Sequence, residues 1–258
     1  MTLSLPVFAQ SQVFTFEQGV AGYSGFSDTT IFSESNNSGG GTDGIFSGTI
    51  NQLTFDGKKQ HRRGLIQLDL TSIPAGWIIE DVTLRMTVST SGGNFGDFDC
   101  SLHQVTGSWS EGNVAGPSGG GFGGPAQQGD ATWQSGHHGI NVWNDAGGDF
   151  IPEPSATAAA GLAGSNVVWS GTELIEDVQL WVNVPSANQG WLILSSLEGQ
   201  LQRVKKFHSS EALQFRPILT VLAQPGPPLG DSTYLVPLLW IALTLTSLAT
   251  LRRVRTIR

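Results

Sequence analysis

Hydrophobic and polar positions alternate most cleanly across residues 62–88. Ile66, Leu68 and Leu70 alternate with Gln67 and Asp69, and Val82, Leu84, Met86 and Val88 alternate with Thr83, Arg85 and Thr87. A period of two sets one face of each strand on a core and the other toward water. The connector at 72–76, SIPAG, is turn chemistry, so the pattern predicts two neighbouring strands of an antiparallel sheet. Similar signals predict strands at 13–16, 28–31, around 53–55, 64–70, 81–89, 98–106, 191–194, 203–208 and 216–222. One helix is predicted, because Leu174, Val178, Trp181 and Val182 recur at helical spacing. Ser170 and Glu173 have capping-box spacing at its start, and Pro185 ends it. The segment 36–44, NNSGGGTDG, reads as a loop outside the core. Residues 107–166 form a long Gly-rich insertion carrying Trp109, Trp133 and Trp143, a length more typical of functional loops than of connectors.

The strand at 64–70, the DLTSIPAG turn and IEDVTLRMTVS resemble the heart of the bacterial DNRLRE domain. That domain is a secreted β-sandwich related to a carbohydrate-binding module family. Further matches follow in the same order: GVAGYSGFSDTTI (19–31), SLHQVTGSWSEG (101–112), GDATW (129–133) and GGDF (147–150). They continue with LIEDVQLWVNVPSANQGWLIL (174–194), KFHSSEA (206–212) and RPILTV (216–221). The resemblance covers residues 12–223 and implies an antiparallel jelly-roll-type β-sandwich with one amphipathic helix. It implies an architecture more than an activity.

Composition agrees with many strands joined by turns. Glycine takes 34 of 258 positions, about double its usual share, and charged residues make up only 13%. The net charge of −8 conceals an asymmetry, since four arginines fall within the last seven residues. Residues 1–251 carry nine basic against 21 acidic side chains, a balance that argues against a nucleic-acid partner. The single cysteine, Cys100, excludes an intramolecular disulfide and shares an inward alternation with Phe98 and Leu102, as a buried structural thiol would.

Residues 1–11 read as the remnant of a signal peptide, with Val7 and Ala9 before a cut at Gln10. After a Pro/Gly linker at 224–234, residues 235–251 form an uncharged stretch of 17, the lower limit for a bilayer span. The basic tail at 252–258 would sit in the cytoplasm and leave residues 12–223 outside. Linker, apolar run and paired arginines resemble a C-terminal sorting signal of the PEP-CTERM type, which implies a sorting protease as a partner.

No catalytic motif is present: there is no G-x-S-x-G, H-E-x-x-H, Walker loop or C-x-x-C. The adjacent His137 and His138 lack a second ligand pair for zinc and read as solvated loop residues. Carboxylates are more suggestive. If the first and last strands are neighbours, Asp28 and Glu211 approach each other and, with backbone carbonyls, suit Ca²⁺. The alternative is that Asp28 caps a turn while Glu211 pairs with Arg216 or Lys206. In the insertion, Trp109, Trp133 and Trp143 offer rings for sugar stacking beside Glu111 and Asp149, with Trp109 and Glu111 expected on one face.

These features point to an exported, membrane-tethered, non-catalytic protein that binds polysaccharide in the cell envelope or matrix. A purely adhesive protein and a polysaccharide-cleaving enzyme are the other readings. The tail gives the first prediction. The full chain is expected to fractionate with membranes, and a chain ending at Ala223 to stay in the aqueous phase. Identical partitioning would remove the anchor.

Overall fold

Two sheets share one long strand. The computed structural model describes residues 10–92, 96–117 and 121–227. In chain order its strands are β1 (Gln12–Phe16), β2 (Phe26–Phe32), β3 (Asn37–Ser38), β4 (Gly44–Leu53), β5 (Lys59–Leu68), β6 (Ile78–Ser91) and β7 (Phe98–Gln104). They continue with β8 (Gly124–Pro125), β9 (Ala156–Ala160), β10 (Asn166–Ser170), β11 (Trp191–Ser195), β12 (Arg203–His208) and β13 (Ile218–Gln224). One helix, α1 (Thr172–Asn183), precedes a 3-10 turn at Pro185–Ala187. All strand pairs are antiparallel. The chain is thus an all-β, sandwich-like fold with one helix.

The first sheet runs β1–β13–β6–β10, and the second runs β12–β4–β5–β11–β7–β9 with β2 also on β5. Strand β6 belongs to both, pairing with β13 and β10 and then, from Val88 onward, with β12. Between the layers, Val82, Leu84, Met86 and Val88 of β6 and Leu219 and Val221 of β13 meet Ile66 and Leu68 of β5, Trp191 and Ile193 of β11 and Phe207 of β12. Helix α1 closes one side, burying Leu174, Val178, Trp181 and Val182. Its Asp177 accepts the indole N–H of Trp191 at 2.8 Å, so a buried donor and a buried carboxylate satisfy each other.

A second core lies on the outer face of the second sheet. Leu65 and Leu192 alternate with Ile66 and Ile193, and they pack with Ile31 against Val105 and against Trp109, Ala131 and Trp143 of the insertion. Strands β5 and β11 are therefore apolar on both faces, and the segment between β7 and β9 covers the outer one. Cys100 is fully buried, and burial pushes its thiol up to about 12.

Several sequence expectations need correction. Strands β5 and β6 are not neighbours: the DLTSIPAG turn carries the chain from one sheet to the other. Alternation marks a strand with one face on a core, and two such strands meet equally well face to face across a sandwich. Residues 54–58 form the β4–β5 hairpin turn instead of a strand, with Phe55 in solvent. Strand β9 falls inside the stretch expected as a loop, and β10 begins at its end, where no element was expected. Ser170 ends β10, and Gly171 occupies the N-cap with no side-chain capping bond. Residues 1–9 and 228–258, which hold most of the expected leader and the whole apolar tail, lie outside the described residues. Among those described, no helix is long and apolar enough to cross a membrane.

Two buried cations escaped the sequence reading. Arg62 is fully buried, bonded twice to Glu34 at 2.7 Å and held 4.9 Å from the Phe32 ring centre. Lys205 donates to Ser91 Oγ and to the carbonyls of Gly96 and Gly161, and it lies over Phe98. Close backbone approach matters as much at Gly48 of β4, where φ is +123° and a Cβ would sit 1.9 Å from the Arg203 carbonyl. Gly48→Ala is expected to lower stability by about 1–3 kcal/mol or more, the usual range for overpacking. Urea denaturation checks this, and an unchanged midpoint would contradict it.

Candidate functional site

Three carboxylates from distant parts of the chain converge at one end of β2. Asp28 lies in β2, opposite Ile66 of β5. Glu211 follows β12 in a turn fixed by Ser209, whose hydroxyl accepts from Glu211 N–H and donates to the Thr42 carbonyl. Glu111 comes from the insertion. It reaches the site because the 36–44 segment packs tightly beneath it: a Cβ at Gly40 would sit 2.2 Å from the Glu111 carbonyl. That Gly-rich segment is therefore largely buried, contrary to the expectation of a loop outside the core.

The bonding is specific. Asp28 Oδ2 accepts Ser210 N–H at 2.7 Å, and Asp28 N–H donates to Glu111 Oε1 at 2.7 Å. Ser210 Oγ donates to Glu211 Oε1 at 2.9 Å. One oxygen from each carboxylate lies within 4.8 Å of those of the other two. Asp28 is 1% exposed, and its Oδ1 has no hydrogen-bond partner. The alternative ion pairs do not form: Lys206 pairs with Asp43, and Arg216 donates to the carbonyls of Ala212 and Gln18. The ion pairs seen among the described residues all lie elsewhere.

Asp28 and Glu111 resist ionisation here. Burial, then the charges of Glu211 and Glu111, hold Asp28 well above the usual carboxylate range. Burial likewise pushes Glu111 up to about 8 despite the N–H it accepts from Asp28, and Glu211 adds to the rise. The donor set is all oxygen and all acidic, which suits a hard cation such as Ca²⁺.

The tryptophans divide differently from expectation. Trp109 and Trp143 are buried, with indole N–H groups bonded to the carbonyls of Gln189 and Thr132 at 2.9 Å. Both rings are packed inside, which corrects the expectation that Trp109 and Trp143 offer rings for sugar stacking. Glu111 turns to Asp28, and Asp149 accepts from Asn144 and Asp145 in its own loop. Trp133 alone of the three keeps partial exposure. It lies against Arg63, 4.8 Å from guanidinium to ring centre, and is stacked with His61 at 6.3 Å. It lines a groove of about 600 Å³ with Ser33, Glu34, Thr54, Asp56, Lys58, Lys59 and His61. Within the groove Lys58 pairs with Asp56 and Glu34 with Arg62, while Lys59 donates to the Gly199 carbonyl.

No protein-family model matches the chain, and no match was found among curated proteins. The sequence reading paired Asp28 with Glu211 but assigned Glu111 to a sugar. It missed the groove's His61, although His61 and Arg63 share one face of β5 by alternation.

The carboxylates set a pH dependence. A folded-state pKa above the unfolded value means that the native state binds more protons, so stability is lost as pH rises between the two. In EDTA the thermal midpoint is expected to fall as pH rises from about 4.5 to about 8, the window that Glu111 spans. Glu111→Gln should flatten that profile, and a midpoint that climbs across the same window would contradict it.

Proposed function

We propose that this chain is an exported, non-catalytic surface protein, tethered by its C-terminal segment, whose jelly-roll-type sandwich binds polysaccharide in the Trp133 groove. The observation that carries the reading is a partly exposed tryptophan, held by Arg63 and His61, in a groove walled by hydroxyl, carboxylate and amine groups. Sugar rings lay C–H faces on aromatic rings while their hydroxyls seek such polar neighbours. The volume of about 600 Å³ is that of an ordinary ligand site. Lys58 and Glu34 are already paired and Lys59 is held by the Gly199 carbonyl; one such lysine is too little positive charge for a polyanion, so the groove favours an uncharged glycan. Resemblance to the DNRLRE domain supports the same reading.

An enzymatic reading is less well supported. A lyase needs a tyrosine or comparable base in a groove, yet Tyr23 donates to the Asp69 carbonyl, and burial raises its pKa, the wrong direction for a base.

A glycan array with the full chain, followed by titration of each hit, tests the proposal. Trp133→Ala is expected to weaken binding at least tenfold with a modest loss of stability. Trp109→Ala and Trp143→Ala should instead destabilise by about 3–5 kcal/mol, as buried tryptophans do. If no neutral polysaccharide binds, or if Trp133→Ala leaves affinity intact, the adhesive reading without a glycan replaces this one.

A further inference from the structure

We propose that Asp28, Glu111 and Glu211 bind one calcium ion, and that this ion clamps the insertion between β7 and β9 to the sandwich. Three observations point to it independently of any glycan. Asp28 Oδ1 is a buried acceptor without a donor, in a fold where polar atoms at this depth are otherwise bonded with few exceptions. The carboxylate oxygens lie within 4.8 Å of one another, inside the span of about 4.6–5.2 Å that two ligands of one calcium ion can have. Finally, the two cations that flank Glu211 in sequence bond elsewhere, Lys206 to Asp43 and Arg216 to the carbonyls of Ala212 and Gln18. A fold that gathers three carboxylates and turns its own cations elsewhere leaves the neutralising charge to come from solvent.

The choice of ion follows from the ligands. All-oxygen, anionic donors select hard cations, and a buried carboxylate oxygen requires an ion that sheds water readily, which favours calcium over magnesium. The three ligands come from β2, from the insertion and from the turn after β12, so the ion joins elements that are far apart in sequence. Glu111 is the insertion's ligand. It lies two residues from Trp109, which anchors the same segment in the outer core.

The test uses the full chain, stripped with EDTA and titrated with CaCl₂ by calorimetry. One ion per chain is expected, with MgCl₂ at the same concentration giving a response at least tenfold weaker. Asp28→Asn should abolish the calcium heat, and Glu111→Gln should weaken affinity at least tenfold. Calcium should raise the thermal midpoint of the wild type and leave that of Asp28→Asn unchanged. In EDTA the order should reverse, with Asp28→Asn melting at or above the wild type, because asparagine is neutral without binding a proton and adds no like charge beside Glu111 and Glu211. That reversal also shows that the variant folds. Calcium should slow proteolysis within residues 105–155 of the wild type but not of Glu111→Gln. Absence of calcium binding in the wild type, or binding that survives Asp28→Asn, would overturn the site. Binding without any change in proteolysis would overturn the clamp.

Discussion

The second sheet has no polar face to turn toward water where β5 and β11 run through it. Leu65 and Leu192 on its outer side are as fully buried as Ile66 and Ile193 on its inner side. A strand pair of this kind exposes a large apolar surface unless something covers it. The segment between β7 and β9 supplies the cover, and its composition follows from that task. Val105, Trp109, Ala131 and Trp143 face the sheet, while the intervening glycines and short polar residues let the backbone lie close to it. The tryptophans of the insertion are thus first of all packing residues. Trp133, at the margin of the cover, is the one that retains a surface.

Once the insertion is fixed on the sheet, its polar residues have fixed positions too. Glu111, two residues beyond a buried tryptophan, is brought to β2 and accepts the Asp28 N–H. Of the three carboxylates Asp28 is buried, Glu111 half-buried and Glu211 exposed; their mutual repulsion and the lost hydration of Asp28 favour protonation or a bound cation. Elsewhere the molecule handles buried charge by direct compensation: Arg62 with Glu34, Arg63 with Glu198, and Lys205 with carbonyls and an aromatic face. The three-carboxylate cluster is the place among the described residues where that compensation is missing.

Much of the architecture was legible in the sequence because it depends on local pattern. The alternation at 81–89, the apolar run at 191–194 and the helical spacing of Leu174, Val178 and Trp181 each correspond to an element of the structure. What alternation does not encode is which strands pair. The β5–β6 connection was misread because facing and adjacent strands share one pattern. Strand β9, ATAAA, was missed because alanine carries little β signal. Burial of single side chains was the hardest to read. Trp109 and Trp133 have similar Gly-rich surroundings in sequence, and only the course of the insertion over the sheet separates a buried ring from a half-exposed one. Asp28 and Glu211 were readable as a pair from the adjacency of chain ends, while Glu111 required the packing of 36–44 against the insertion.

The pairing of β1 with β13 sets the order in which the molecule can be completed. Gln12 pairs with Ala223, and Ser210 bonds to Asp28, so the contacts that close the first sheet and the carboxylate cluster span nearly the whole domain. Closing loops of that length before any reward from packing makes folding slow. The closure of the sheet at β1 waits for β13 to emerge from synthesis, and the cluster around Asp28 waits for Glu211 after β12. A nascent chain lacking residues beyond 208 has two of the three carboxylates and an open sheet edge. The finished site therefore requires the chain through Glu211, and a protein truncated before residue 209 would lose its sheet closure and its third carboxylate together.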